Sequence, residues 1–446
     1  MKTITFFEHQ SRAYADIGLT PDHPSIEQVE RLNGLFGAEL IRVGRRALHA
    51  TSYVGVIRCG VVTLQILPKI DHDPTGNANA SAGTPAFRAA ATSAAQNLLY
   101  LLSYTHDLEI HQQEIAPLLS KESDWFELLT RLFAASLHRH MQRGMEHAYV
   151  LIEEDLPVIR GRWQYDRQQS RRPHVKHRFD MVYDEFSSDT PLNRAFRFVV
   201  ERLLWLTIDP LNRILLEDLQ TWLADVCLCP VISLADLDGI QFSRLNEQFR
   251  PAFNLARMFL EGQALRLETG AQLTFAFVFD MNRLFEQFVA QFLICHRAGI
   301  LPKSWLGGEI LVQSRGRGLY LGEQIPSRKQ AFRLAPDLMI SNGPGVPNLV
   351  LDTKYKVLSG QGNQEGVAPE DAYQMLAYSV RLDCPHVLLL YPQAALSTRT
   401  RMEFEITGER RHLHVASLDL RQPLSKPDLL IAEFNGILQP LALQNS

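Results

Sequence analysis

In the stretch Leu334–Lys356, LAPDLMISNGPGVPNLVLDTKYK, two short apolar runs carry charges that a buried strand ordinarily avoids. Asp337 follows Pro336, and Asp352 and Lys354 stand in the second run. Residues i and i+2 of a strand point to the same side. Asp352 and Lys354 therefore share a face with Val350, while Leu349, Leu351 and Thr353 take the other. With the two runs paired through NGPGVPN, Asp337 reaches the same edge. Two carboxylates and one ammonium then converge at one end of a small sheet. Two carboxylates bind a hard divalent cation such as Mg²⁺ and leave positions for water and phosphate. Such a cation polarises a phosphoryl oxygen and lowers the pKa of its bound water. The lysine orients or deprotonates that water, or neutralises charge on the phosphorane. Alone, D-x-K is common and ordinarily marks an exposed ion pair contributing ~0–1 kcal/mol. Here a P-D, a turn-length gap, an apolar run entering D-x-K and the surrounding element order all agree.

Those elements must place the charges. The final third opens with a helix, DMNRLFEQFVAQFLICHRAG. Strands follow near 309–314, 336–341 and 348–355, then a helix, PEDAYQMLAYSVRL, and a strand, HVLLLYP. A sheet with helices on both faces accounts for this order, the second helix serving as a crossover. Glu286 in LFEQF and Gln374 in AYQMLAY are polar positions flanked by apolar ones, where a polar group needs a partner. Glu286 is either a third metal-side carboxylate or an exposed helix residue. Gln374 positions the lysine, contacts DNA or is exposed in the same way.

Upstream, SIEQVERLNGLFG predicts a helix and YVGVIRCGVVTLQILPKI a β-hairpin. Residues 71–92 begin with DHDPTGNANASAGTPAF and read as a flexible linker. Helices are expected within 93–143 and about 191–226, and another from about 250 to 265. Between them HAYVLIEEDLPVIRGRWQYD is strand-like. The resulting partition is an α+β domain at 1–70, a linker at 71–92, a largely helical region with a β finger at 93–265, and an α/β domain at 266–446.

The 446 residues carry 45 Lys and Arg against 49 Asp and Glu, a net charge of −4. No overall basic character announces nucleic acid, so any anion-binding surface must be local. The five cysteines lack paired zinc-ligand spacing, and free thiols in a reducing cytosol are the simpler reading. No run reaches the ~18 apolar residues of a membrane helix. The amino-terminal segment turns polar too early for a signal peptide. A cytoplasmic protein with no membrane association is expected.

The P-D…D-x-K arrangement resembles the PD-(D/E)xK nuclease signature. FVFDMNRLFEQFV, APDLMIS…LVLDTKYK and DAYQMLAYS together resemble the McrC family, the nuclease subunit of McrBC modification-dependent restriction systems. QNLLYLLSY, PVIRGRW and DTPLNRAFRFVVERLL resemble its middle segments. The likeness spans roughly residues 93–395, and residues 1–70 resemble the extra amino-terminal domain of longer members. It implies a multidomain α/β protein with a restriction-endonuclease-like core. It also implies a Mg²⁺-dependent endodeoxyribonuclease with Asp337, Asp352 and Lys354 as catalytic residues. Glu286 and Gln374 carry over as further site residues, with Asp337, Asp352 and Glu286 on the metal. The implied partners are double-stranded, methylated DNA and a McrB-like AAA+ GTPase hexamer, which reads the DNA, translocates and is stimulated by this subunit. GTP belongs to that ring, because this chain has no G-x-x-x-x-G-K-[ST] loop. A non-cleaving, GTPase-activating subunit and a stand-alone repair nuclease are the rival functions.

A basic run remains. Arg160, Arg162, Arg167, Arg171, Arg172, Lys176 and Arg178 face Asp166 alone in the segment from 160 to 178. Such a run is a solvated loop, a grip on DNA phosphates, or a projection into the pore of the partner ring. The family likeness favours the pore, because the finger of McrC lies in this region.

Overall fold

In the computed structural model, the described residues are 2–60, 62–71, 84–108, 125–169, 177–261, 265–269, 272–312, 318–341, 347–358, 366–393, 400–406, 411–421 and 426–444. They form two compact units. One takes the described residues up to Trp125 and from 265 onward, the other those of 126–261.

The first unit is built on two sheets. The five-stranded sheet runs in the order Lys2–Phe7, Val62–Leu67, Tyr53–Cys59, Gln272–Asp280, Leu265–Thr269. Its first pair is parallel and the others are antiparallel. The six-stranded sheet runs Glu309–Val312, Leu338–Ser341, Leu349–Thr353, His386–Pro392, His412–Leu418, Arg401–Glu405. Its three parallel strands lie in the middle, with antiparallel strands outside them. Central parallel strands are covered on both faces and read as continuous apolar runs. Leu349, Val350 and Leu351 are fully buried accordingly, as are Leu389 and Leu390 in the neighbouring strand.

The hairpin expected between 336 and 355 is present, with Leu338 opposite Leu351 and Ile340 opposite Leu349. Its turn, 342–346, lies outside the described residues. The helix Pro369–Leu382 is the expected crossover between parallel strands Leu349–Thr353 and His386–Pro392. Proline at its first turn and Asp383 in the left-handed region at its end bound it, the usual asymmetry of helix termini. Its Met375 and Tyr378 pack on the sheet face that holds Val350, Val387 and Leu389.

The second unit holds the strands Ala148–Leu156, Phe179–Ser187 and Arg162–Trp163, paired antiparallel as a finger-like sheet. Its helices include Pro191–Leu206 and Pro210–Trp222. Each of those two starts on proline behind a side-chain cap, Thr190 or Asp209, which supplies an acceptor to amides the helix leaves unpaired.

Three boundaries differ from the sequence reading. Residues 1–70 and 266–446 are not separate bodies, because Thr274–Asp280 pairs with Cys59–Tyr53 inside one sheet. The described part of the helix at 93–106 also belongs to the first unit. Residues 85–92, expected as linker, are the first turns of the helix Pro85–His106, and Thr84 Oγ1 accepts from the Phe87 amide at 3.3 Å. The rest of the expected linker, 72–83, lies outside the described residues. Among the described residues no helix is long and apolar enough to cross a membrane. All five cysteines are free.

Gly55 sits where the joined stretches meet, at φ +135°, opposite Ile66 on one side and Val278 on the other. A Cβ there would lie 2.9 Å from Val278 Cα and closer still to the Phe277 carbonyl oxygen. Gly55→Ala adds backbone strain and a steric clash, and should cost about 3 kcal/mol of stability. A urea midpoint equal to that of wild type would contradict the pairing of these strands.

Candidate active site

The face of the hairpin that carries Asp352 ends where the strand Leu349–Thr353 leaves the sheet. Asp352 is the last inward residue of this strand and only 1% exposed. Lys354 follows it, its amide donating to the Leu390 carbonyl at 2.9 Å. The Lys354 Nζ lies 2.5 Å from Asp352 Oδ2 and donates to Gln374 Oε1 at 2.9 Å. Gln374 Nε2 in turn donates to the Tyr378 hydroxyl at 2.7 Å. Gln374 and Tyr378 are four residues apart on one helix, hence on one face. Asp337 arrives from the other strand of the hairpin. Its Oδ2 accepts from the Thr353 amide at 2.7 Å and from the Thr353 hydroxyl at 2.8 Å.

Charge in this pocket is unevenly balanced. Burial pushes the Asp352 carboxyl up to about 7; Asp337 adds to the rise, Lys354 opposes it, and Glu286 adds a smaller push. Burial alone would depress the Lys354 ammonium, but Asp352 and then Asp337 hold it above the ordinary lysine value. Tyr378 is pushed up to about 12, by burial first and then by the charge of Asp352. Beside them, Asp371 accepts from Lys356 Nζ at 3.0 Å and from the Tyr391 hydroxyl at 3.2 Å.

Each expected site residue in this unit is now placed. Asp337, Asp352, Lys354 and Gln374 come together at the strand exit. Glu286 is half-buried on the helix Met281–Cys295 and reaches the group through its field on Asp352. Among the described residues no three His, Cys, Asp or Glu side chains stand close enough to hold a metal ion. Thr353 engages Asp337, and the Lys354 ammonium stands against Asp352. The residues nonetheless suit a divalent cation. Asp352 Oδ2 is buried and receives no aligned hydrogen bond, and two further carboxylates raise the energy of its anion. A cation relieves both conditions.

Thr353 and Tyr378 were not among the expected residues. The spacing from Gln374 to Tyr378 was a readable signal, because i and i+4 share a helix face. Thr353 carried none, since strand alternation assigns it to the opposite face.

In the finger, Arg160 lies over the Tyr183 ring at 4.1 Å and 3.8 Å from Glu185. Arg167 pairs with Glu153 at 2.6 Å, and Arg178 donates to the Asp155 carbonyl at 2.5 Å. Arg160, Arg162 and Arg178 are all exposed. Arg171, Arg172 and Lys176 lie outside the described residues.

A family model described as "McrBC 5-methylcytosine restriction system component" matches residues 48–392. Among solved structures, the chain is similar to one in the refined half-complex from the tetradecameric assembly of Thermococcus gammatolerans McrB AAA+ hexamers with bound McrC. The two are 22% identical over 99% of this chain and 100% of that chain, with a TM-score of 0.66. A chain of the Thermococcus gammatolerans McrBC complex, seen by cryo-EM, is 25% identical over 66% of this chain and 88% of that one, with a TM-score of 0.49. Among curated proteins, none matches.

The raised Asp352 carboxyl has a measurable consequence. Its ordinary value is 3.8 and its folded value about 7. Between these pH values the folded chain holds a proton that the unfolded chain releases, so wild-type stability falls as pH rises through that window. Asp352→Asn carries no such proton. Its stability relative to wild type should climb from pH ~4 to pH ~7 and level off above. Urea midpoints across a pH series decide this, and a difference that stays flat would contradict the buried, crowded carboxyl.

Proposed function

The chain belongs to the McrBC 5-methylcytosine restriction system component family, and from that membership we propose that it is the nuclease subunit of such a system. Its reaction is Mg²⁺-dependent hydrolysis of DNA phosphodiesters by a PD-(D/E)xK core, carried out when the chain is assembled with a McrB-like AAA+ GTPase ring. The observation that carries the reading is the Lys354 ammonium held between buried Asp352 and Gln374, at the exit of a central strand whose hairpin partner brings Asp337. A structural ion pair alone does not call for a second carboxylate and a directing amide at the same strand end.

Asp337 and Asp352 are the residues that would hold Mg²⁺, and Glu286 acts on Asp352 through its charge. When bound, the ion polarises the scissile phosphoryl group and acidifies a water. Lys354 orients the attacking water and stabilises the negative charge that develops on the phosphorane. Gln374, anchored by Tyr378, keeps the ammonium aimed. Thr353 fixes Asp337 through two hydrogen bonds to one oxygen, leaving its Oδ1 for the pocket.

McrB AAA+ hexamers bind McrC in the Thermococcus gammatolerans assembly, and the same class of partner is proposed here. The finger of the second unit, with exposed Arg160, Arg162 and Arg178, is its proposed contact with the ring. A net charge of −4 gives the chain no long-range pull on duplex DNA, which supports dependence on a partner that delivers the substrate.

Two outcomes are expected. Asp352→Ala and Lys354→Ala should each slow cleavage of methylated plasmid at least ~100-fold, the loss of ~3 kcal/mol of transition-state stabilisation. Stimulation of GTP hydrolysis should stay intact in both, and full cleavage by either variant would sink the assignment. Replacing Arg160, Arg162 and Arg178 together by Ser should weaken GTPase stimulation without DNA present. If stimulation holds and only DNA binding falls, with a flatter salt dependence, the finger grips phosphates instead.

A further inference from the structure

The five-stranded sheet reaches into the strand exit that carries Lys354. Glu8 directly follows its first strand, Lys2–Phe7, and Lys69 lies two residues beyond the strand Val62–Leu67. Both meet Tyr355, the residue after Lys354. The Tyr355 hydroxyl donates to Glu8 Oε2 at 2.7 Å, and the Lys69 amide donates to the same oxygen at 3.1 Å. Lys69 Nζ lies 4.6 Å from the centre of the Tyr355 ring and donates to the Tyr355 carbonyl at 3.4 Å. Phe285, the neighbour of Glu286, packs on the same ring with centroids 5.7 Å apart.

This contact is polar where a closing contact would ordinarily be apolar. Glu8 is 3% exposed, and its Oε1 has no hydrogen-bond partner. Burial pushes its carboxyl up to about 7 against the pull of Lys69. Burying such a group costs stability unless its partners are well placed. Packing alone does not require it, since an apolar side chain would fill the same space. What the polar set supplies is direction. It ties one residue to two loops of another sheet, immediately beyond the last paired position of the strand, Thr353 opposite Leu390.

We propose that Glu8 and Lys69 are positioning residues for Lys354, acting through Tyr355 to hold the strand exit so that the ammonium stays between Asp352 and Gln374. The inference rests on the nuclease reading above for its catalytic consequence, but not for its geometry. It gives the first 70 residues a role in the site.

The test uses the full chain with its ring partner, GTP, Mg²⁺ and methylated plasmid. Tyr355→Phe and Glu8→Leu should each lower the single-turnover rate at saturating DNA about tenfold, the usual scale for a residue that orients a site from behind. The DNA concentration for half-maximal rate and the stimulation of GTP hydrolysis should not change. Glu8→Gln keeps an oxygen that accepts from Tyr355 and should recover most of the rate. The double variant Tyr355→Phe with Glu8→Leu should be no slower than the slower single variant, because Glu8→Leu already removes the bond that Tyr355→Phe removes. A second readout is independent of cleavage. The side-chain resonance of Lys354, assigned in isotope-labelled lysine by its loss in Lys354→Arg, should shift in Tyr355→Phe. A folded Tyr355→Phe that cleaves at the wild-type rate overturns the proposal, and so does an unmoved Lys354 resonance. If wild type itself fails to cleave, the nuclease reading falls and the resonance alone decides the positioning claim.

Discussion

The contact between the Lys354 ammonium and the buried Asp352 carboxylate governs the arrangement around it. A carboxyl that is 1% exposed and faces two other carboxylates is costly to ionise. The lysine offsets part of that cost, and its own burial is offset by Asp352 in return. Neither group suits its place without the other. The central strand delivers both, Gln374 fixes the ammonium from the crossover helix, and Thr353 secures Asp337 from the strand itself. Retaining so unfavourable a group in a core strand fits the proposed nuclease role, since catalytic sites commonly trade stability for activity.

Two sheets serve this point. The six-stranded sheet carries Asp352 near the end of a buried, apolar central strand. The five-stranded sheet is assembled from segments more than 200 positions apart, since Gln272–Asp280 joins strands of the first 70 residues. Its strand ends reach Tyr355 through Glu8 and Lys69. The helix Met281–Cys295 begins directly where Gln272–Asp280 ends, and it carries Phe285 and Glu286 toward the same exit. One sheet bears Asp352 and Lys354, and the other contacts Tyr355, the residue beside them.

Much of this was legible in the sequence because it is local. The hairpin of Leu338–Ser341 and Leu349–Thr353, the crossover helix and the strand His386–Pro392 are each announced by their own period and bounding residues. The convergence of Asp337 on the D-x-K follows from hairpin pairing alone. The link from Gln374 to Tyr378 follows from helix periodicity. What escaped the sequence is non-local. Nothing near Thr274 says that it pairs with Cys59, and nothing near Glu8 says that its partner is Tyr355. Thr353 was assigned to the far face by strict alternation, yet its amide and hydroxyl both reach Asp337, because the strand is ending there and the chain is turning away. The joining of residues 1–70 to the later segment was illegible for the same reason, since a sheet shared between distant segments leaves no compositional trace.

The most direct test of the account is cleavage of methylated plasmid by the purified chain, with and without its AAA+ partner, in Mg²⁺ at physiological salt. The account predicts little or no cleavage by the chain alone, cleavage once the partner and GTP are added, and none when GTP is replaced by a non-hydrolysable analogue. Efficient degradation of the plasmid by the chain alone would contradict it.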